Sequence, residues 1–108
     1  MKTSGCFTVK LTSRKRFRRL VGDHFKIKGL RAGLVTLRPK QAIGEHNTEK
    51  KEEALIILKG NAIIHYGKAK KIKAGQGTFV FIPQNTSHNV LNAGSKTLQY
   101  VYVTAHVA

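Results

Sequence analysis

Residues 44–60, GEHNTEKKEEALIILKG, decide the reading of this chain. A charged loop carrying His46 runs into an apolar stretch, Ala54 to Leu58, which Lys59-Gly60 ends. Alternate residues of a strand share a face, so Leu55 and Ile57 lie on the side of Glu53, and Ala54, Ile56 and Leu58 on the other. Both sides are apolar, and both need a cover. A second stretch answers the first: residues 75–92, GQGTFVFIPQNTSHNVLN, set His88 beside another run of β-forming residues.

Outward from these two stretches, short strands alternate with turn signals. Ala32 to Leu37 reads as a strand, and Arg38-Pro39-Lys40 as a turn. Gly60-Asn61 lies between apolar runs and suggests a hairpin, with Ala62 to Tyr66 returning. Gly67 to Lys73 is polar and basic and reads as a connection. Thr78 to Ile82 is a strand stopped by Pro83; Asn89 to Leu91 is short, and Thr97 to Val107 closes the chain. Before Gly33 the pattern is weaker. Phe7, Val9 and Leu11 alternate as a lead-in strand, and Asp23 to Lys28 gives another alternation with Phe25 and Ile27 inward. No capped segment keeps a 3.6-residue period. Many short strands with turns between them mean a sandwich or barrel.

At 108 residues the chain is read as one domain. A single cysteine, Cys6, rules out an intrachain disulfide framework. With no apolar run of membrane length and no signal-type segment, a soluble cytoplasmic protein is expected. Twenty Lys and Arg against five Asp and Glu give a net charge of +15, which attracts anions. The densest basic run holds Arg14, Lys15, Arg16, Arg18 and Arg19, with Phe17, Leu20 and Val21 between and after them. It reads as a solvated face with stems lying over apolar surface, or as an anion-binding, phosphate-contacting patch. The acidic residues are scarce, yet Glu45, Glu49, Glu52 and Glu53 crowd around His46.

His46, Glu53 and His88 each stand at the mouth of a predicted strand. If those strands are neighbours, two imidazoles and a carboxylate converge. That set suits a divalent transition metal with positions left open, or an acid–base site without metal. Glu49 is weighed as a further ligand against a solvated loop carboxylate. His65 is weighed as an additional pocket residue against an ordinary hydrogen-bonded histidine. Tyr100 and Tyr102 share one strand face, which packs and can line a pocket.

The same residues resemble a small single-domain cupin. In the first cupin motif a glycine precedes His-x-His, then a glutamate and a second glycine; His46, Glu53 and Gly60 match its later spacing. In the second, Gly77, Pro83, His88 and Asn92 match in register. Three positions depart: Lys40 stands at the early glycine, Thr48 at the second histidine and Asn85 at the second motif's glycine. The resemblance implies an all-β fold, a cupin-type double-stranded β-helix (a jelly-roll barrel), with a core over 33–103 and residues 1–30 as lead-in and outer strands. It implies one divalent metal (Zn, Mn, Fe or Ni) held by His46, Glu53 and His88. Thr48 is a poor ligand that can orient a water or a substrate. It also suggests a homodimer.

Three functions follow as expectations. One is a metal-binding cupin that acts on or binds a small anionic metabolite, such as an acidic or phosphorylated sugar. Another is a basic β-barrel that binds nucleic acid through the arginine run and Lys68 to Lys73. The third is a structural homodimer with a vestigial pocket.

Overall fold

The computed structural model describes residues 5–22 and 27–107. Nine strands follow one another: β1 (Phe17–Val21), β2 (Leu30–Leu37), β3 (His46–Asn47), β4 (Lys51–Lys59), β5 (Asn61–Tyr66), β6 (Lys70–Gly75), β7 (Phe79–Ile82), β8 (Ser87–Asn92) and β9 (Leu98–His106). They form a five-stranded sheet, β1-β2-β9-β4-β7, and a four-stranded sheet, β3-β8-β5-β6. All pairings are antiparallel. Among the described residues no helix is long and apolar enough to cross a membrane.

The expected jelly-roll barrel is corrected by this topology. Among the described residues neither sheet closes on itself: β1 and β7 edge one sheet, β3 and β6 the other. The expected hairpin at Gly60-Asn61 fails for a related reason. β9 and β7 already pair with β4 on its two sides, so β4 has no edge left for β5. The chain instead turns a corner from one sheet to the other. Gly60 makes this possible with φ 89°; a Cβ there would lie 2.6 Å from the Thr97 carbonyl oxygen and 2.8 Å from Leu98 Cα.

Side chains rather than a ladder hold the two layers together. Leu37, Leu55, Ile57, Ile64, Val90, Leu98 and Tyr100 fill the space between them. The parity of β4 places Glu53, Leu55 and Ile57 on this buried side, with Ala54, Ile56 and Leu58 half-buried on the other. A smaller cluster covers the outer face of the five-stranded sheet: Leu20, Ala32, Leu34 and Val101, with Val9 packed on it.

Three further expectations are revised. The lead-in strand over Phe7 to Leu11 is absent; residues 5–16 carry no strand, and the Arg18 guanidinium ties them down by donating to the carbonyls of Lys10 and Thr12. The alternation at Asp23 to Lys28 falls mostly outside the described residues, and Ile27 and Lys28 are not in a strand. The basic connection after Gly67 contains β6, an edge strand whose residues 70–73 are exposed. Its lysines hid the apolar period, and they are the residues that keep an open sheet edge from pairing with other chains.

Candidate metal centre

β3 and β8 pair so that His46 stands directly opposite His88. Glu53 comes from the other sheet, on β4, opposite Ile82 of β7 and Thr104 of β9. The three ligand atoms lie within 4.8 Å of one another. Glu53 Oε1 is 3.2 Å from His88 Nε2 and 4.0 Å from His46 Nε2. A tetrahedral ion with bonds near 2.0–2.1 Å needs its donors about 3.3–3.5 Å apart, so small rotations about χ1 and χ2 suffice.

The tautomers follow from the backbone. Each Nδ1 lies 3.0 Å from the carbonyl two residues earlier, Gly44 for His46 and Thr86 for His88. A carbonyl only accepts, so each Nδ1 carries the proton and each neutral ring turns its lone pair, at Nε2, toward Glu53. His88 Nε2 is fully buried and makes no aligned hydrogen bond. A lone pair against a carboxylate oxygen is two acceptors meeting. A cation between them, an added proton or a metal ion, resolves the conflict. The proton's side of this shows in the pKa of His88. Burial, the largest single effect, lowers it; the bond that a protonated Nε2 would donate to Glu53, the Thr86 carbonyl and the Glu53 charge together outweigh burial and raise it above the ordinary histidine value. The residues present fit one divalent metal ion.

An open cavity of about 1110 Å³ lies over the cluster. Tyr100 and Tyr102 line it, as do Thr48, Glu49, His46 and Glu53. Tyr100 is buried, and burial first, then the Glu53 charge, raises its pKa strongly. Burial also raises Tyr102, against the pull of Arg19. Both phenols therefore keep their protons and can donate hydrogen bonds.

The other candidates fall elsewhere. The Thr48 hydroxyl donates to the Pro83 carbonyl at 2.7 Å and accepts from the Thr86 N–H at 2.9 Å, so it braces the turn that holds His88. Glu49 is exposed on the cavity rim and stands outside the three-residue cluster. His65 is exposed on β5, away from the cavity lining. The basic run divides: Arg16 donates to the Ala42 carbonyl and Arg18 to Lys10 and Thr12, whereas Arg19 lines the cavity. Gly44 and Thr86, whose carbonyls fix the two rings, escaped the sequence reading. Their signal is a position two residues before each histidine, legible only once the loops are seen to turn.

The sequence profile of the cupin domain (Cupin_2) matches residues 33–104, and the chain belongs to that family. Among curated proteins none matches it. Solved structures share the fold. An RmlC-like cupin family protein of Methanocaldococcus jannaschii superposes with a TM-score of 0.78 at 18% identity, over 95% of this chain and 91% of that one. A predicted oxalate decarboxylase of Thermotoga maritima gives 0.75 at 23% identity, over 84% and 79%. The cupin domain of Schizosaccharomyces pombe Cnp3 gives 0.74 at 15% identity; the match covers 84% of this chain and only 60% of that structure.

Proposed function

We propose that the chain binds one divalent transition metal (Zn, Mn, Fe or Ni) through His46, Glu53 and His88, and takes up a small anionic metabolite, such as an acidic or phosphorylated sugar, in the cavity above. The observation that carries this reading is the buried Nε2 of His88, facing a carboxylate oxygen at 3.2 Å with no aligned partner of its own. When bound, such an ion supplies positive charge and open positions for ligand oxygens. The chain's own residues do the rest. Gly44 and Thr86 fix the imidazole tautomers, Tyr100 and Tyr102 present protonated hydroxyls, and the apolar residues behind them keep water from the inner side.

The reading includes a homodimer across the outer face of the five-stranded sheet. On the edge strand β7, Phe79 and Phe81 are 65% and 54% exposed, and they continue the row of Ile56 and Ala54. A second copy would cover them. Sedimentation of a monomer at micromolar concentration would remove this element.

The main test is metal content of tag-free protein purified without chelator, beside His88→Ala. About one ion per chain, lost in the variant, is expected. No ion as purified, and none taken up on dialysis against zinc, manganese, iron or nickel, overturns the reading.

A further inference from the structure

Three of the arginines around β1 and β2 are already engaged by backbone carbonyls. Arg16 donates to the Ala42 carbonyl, and Arg18 to those of Lys10 and Thr12. Arg31 donates to the carbonyls of Ile27 and Leu30. Arg19 differs. Its side chain lines the cavity, and among the described residues no hydrogen bond or ion pair engages its guanidinium.

The position of Arg19 is built rather than incidental. The alternation of β1 turns Phe17, Arg19 and Val21 to the cavity and leaves Leu20 buried on the other side. The stem of Arg19 lies over Gly22, where a Cβ would come within 2.6 Å of its Cδ. Across the sheet Arg19 pairs with Gly33, and Gly33 with Tyr102. Because Gly33 has no Cβ, the Tyr102 ring lies flat over β2 and reaches β1. There it stacks on Phe17, with centroids 5.9 Å apart and planes at 17°. A charged five-donor fork and a protonated phenol thus share one wall of the cavity.

We propose that Arg19, backed by the Tyr102 hydroxyl, forms a second anion-recognising subsite that takes the carboxylate or phosphoryl group at the far end of a ligand whose near end sits at His46, Glu53 and His88. This rests on the metal-site reading for the near end only. Glu53 on β4 and Arg19 on β1 are separated by β9 and β2. Three interstrand steps make about 14 Å between backbones, much of it spanned by the two side chains. The ligand class that would engage both ends is a compact molecule with two oxygen-rich termini. The guanidinium fork matches carboxylate and phosphate alike.

The test is an NMR titration of the full chain, loaded with zinc, following the Arg19 Nε–Hε signal. The probes come in pairs: glutarate against butyrate, and 3-phosphoglycerate against glycerate. In at least one pair the two-ended probe is expected to bind tenfold or more tighter than its one-ended partner and to shift the Arg19 signal saturably. Which pair shows the margin tells carboxylate from phosphoryl. Arg19→Gln should erase the margin while metal content and melting temperature hold; Arg19→Lys should restore part of it. A margin that survives Arg19→Gln, or an Arg19 signal that never saturates, overturns the subsite. The same titration on His88→Ala separates the two readings. If the metal reading alone fails, wild type and His88→Ala are both free of zinc, and 3-phosphoglycerate still saturates the Arg19 signal.

Discussion

His46 and His88 face each other directly across the β3–β8 ladder, their ring centroids 4.1 Å apart and their planes inclined at 61°. Each ring is steered by the carbonyl two residues before it, so one local device is used twice to aim two lone pairs at Glu53. Outer-shell partners of this kind fix ring orientation and ligand basicity.

The brace behind His88 is open to test. Thr48→Val keeps the shape of the side chain but removes the hydroxyl's hydrogen bonds to the Pro83–Thr86 turn. Leaving the half-buried Thr86 N–H without its acceptor costs about 1 kcal/mol, at the low end of the penalty for a buried group. The variant should unfold at lower denaturant, and because Thr86 orients His88, zinc affinity should fall about tenfold or more. Chelator competition reads the second effect. Unchanged zinc affinity would show that the turn holds His88 without Thr48.

Gly33→Ala would drive a methyl group into the Tyr102 ring, 2.8 Å from Cζ and from Oη. Overpacking of this kind costs about 1–3 kcal/mol. The loss should appear in urea denaturation and shrink when Tyr102→Leu is added, a coupling that a double-mutant cycle isolates. Additive losses would mean that Tyr102 does not need the space above Gly33.

Lys40 and Asn85 hold left-handed backbone, with φ 70° and 53°. Such conformations cost an L-residue roughly 1–2 kcal/mol, less for asparagine, whereas glycine takes them freely. Lys40→Gly should therefore stabilise by about 1 kcal/mol, raising the melting temperature by roughly 4–8 °C, with Asn85→Gly gaining less. A drop in melting temperature for Lys40→Gly would show that the lysine side chain contributes more than its backbone strain costs.

Tyr100 and Tyr102 ionise above the ordinary tyrosine value near 10, mainly because they are buried. The sign follows from linkage. A group whose pKa is raised in the fold contributes stability that is fully present below its unfolded pKa and is lost as pH rises toward its folded pKa. Stability should thus decline as pH climbs past 10. In absorbance titrations at about 295 nm, Tyr100→Phe and Tyr102→Phe should each remove a late component relative to free tyrosine. A Tyr100→Phe variant whose titration curve matches wild type would contradict the burial of this phenol.

Strand parity made much of the site legible. On β4 the alternation alone places Glu53 with Leu55 and Ile57, and those three are buried. The resemblance tied His46, Glu53 and His88 together, and the fold brings them within ligand reach of one another. Layering was harder to read. Gly60-Asn61 looks like a hairpin in any local window, and only the partners of β4, set by residues some twenty to fifty positions away, force a corner instead. β6 escaped because Lys70, Lys71 and Lys73 serve a solvent-facing edge, where no apolar period is written. The arginine run was read as one surface. Backbone carbonyls claim two of its members, and which guanidinium remains for the cavity depends on the path of residues 5–16, whose weak alternation reads as a strand although none forms there.

β3 is two residues long, and its ladder to β8 has two registered pairs, one of them the His46–His88 pair itself. The cluster also draws its carboxylate from the opposite sheet. An ion held there would act as a rivet through both layers at the point where the four-stranded sheet is narrowest. Loading would then be read far from any ligand: amide protons of β3 and of the Gly44 loop should exchange rapidly in chelated protein and slow sharply once the rivet is in place, while those of β2 and β9 hardly change.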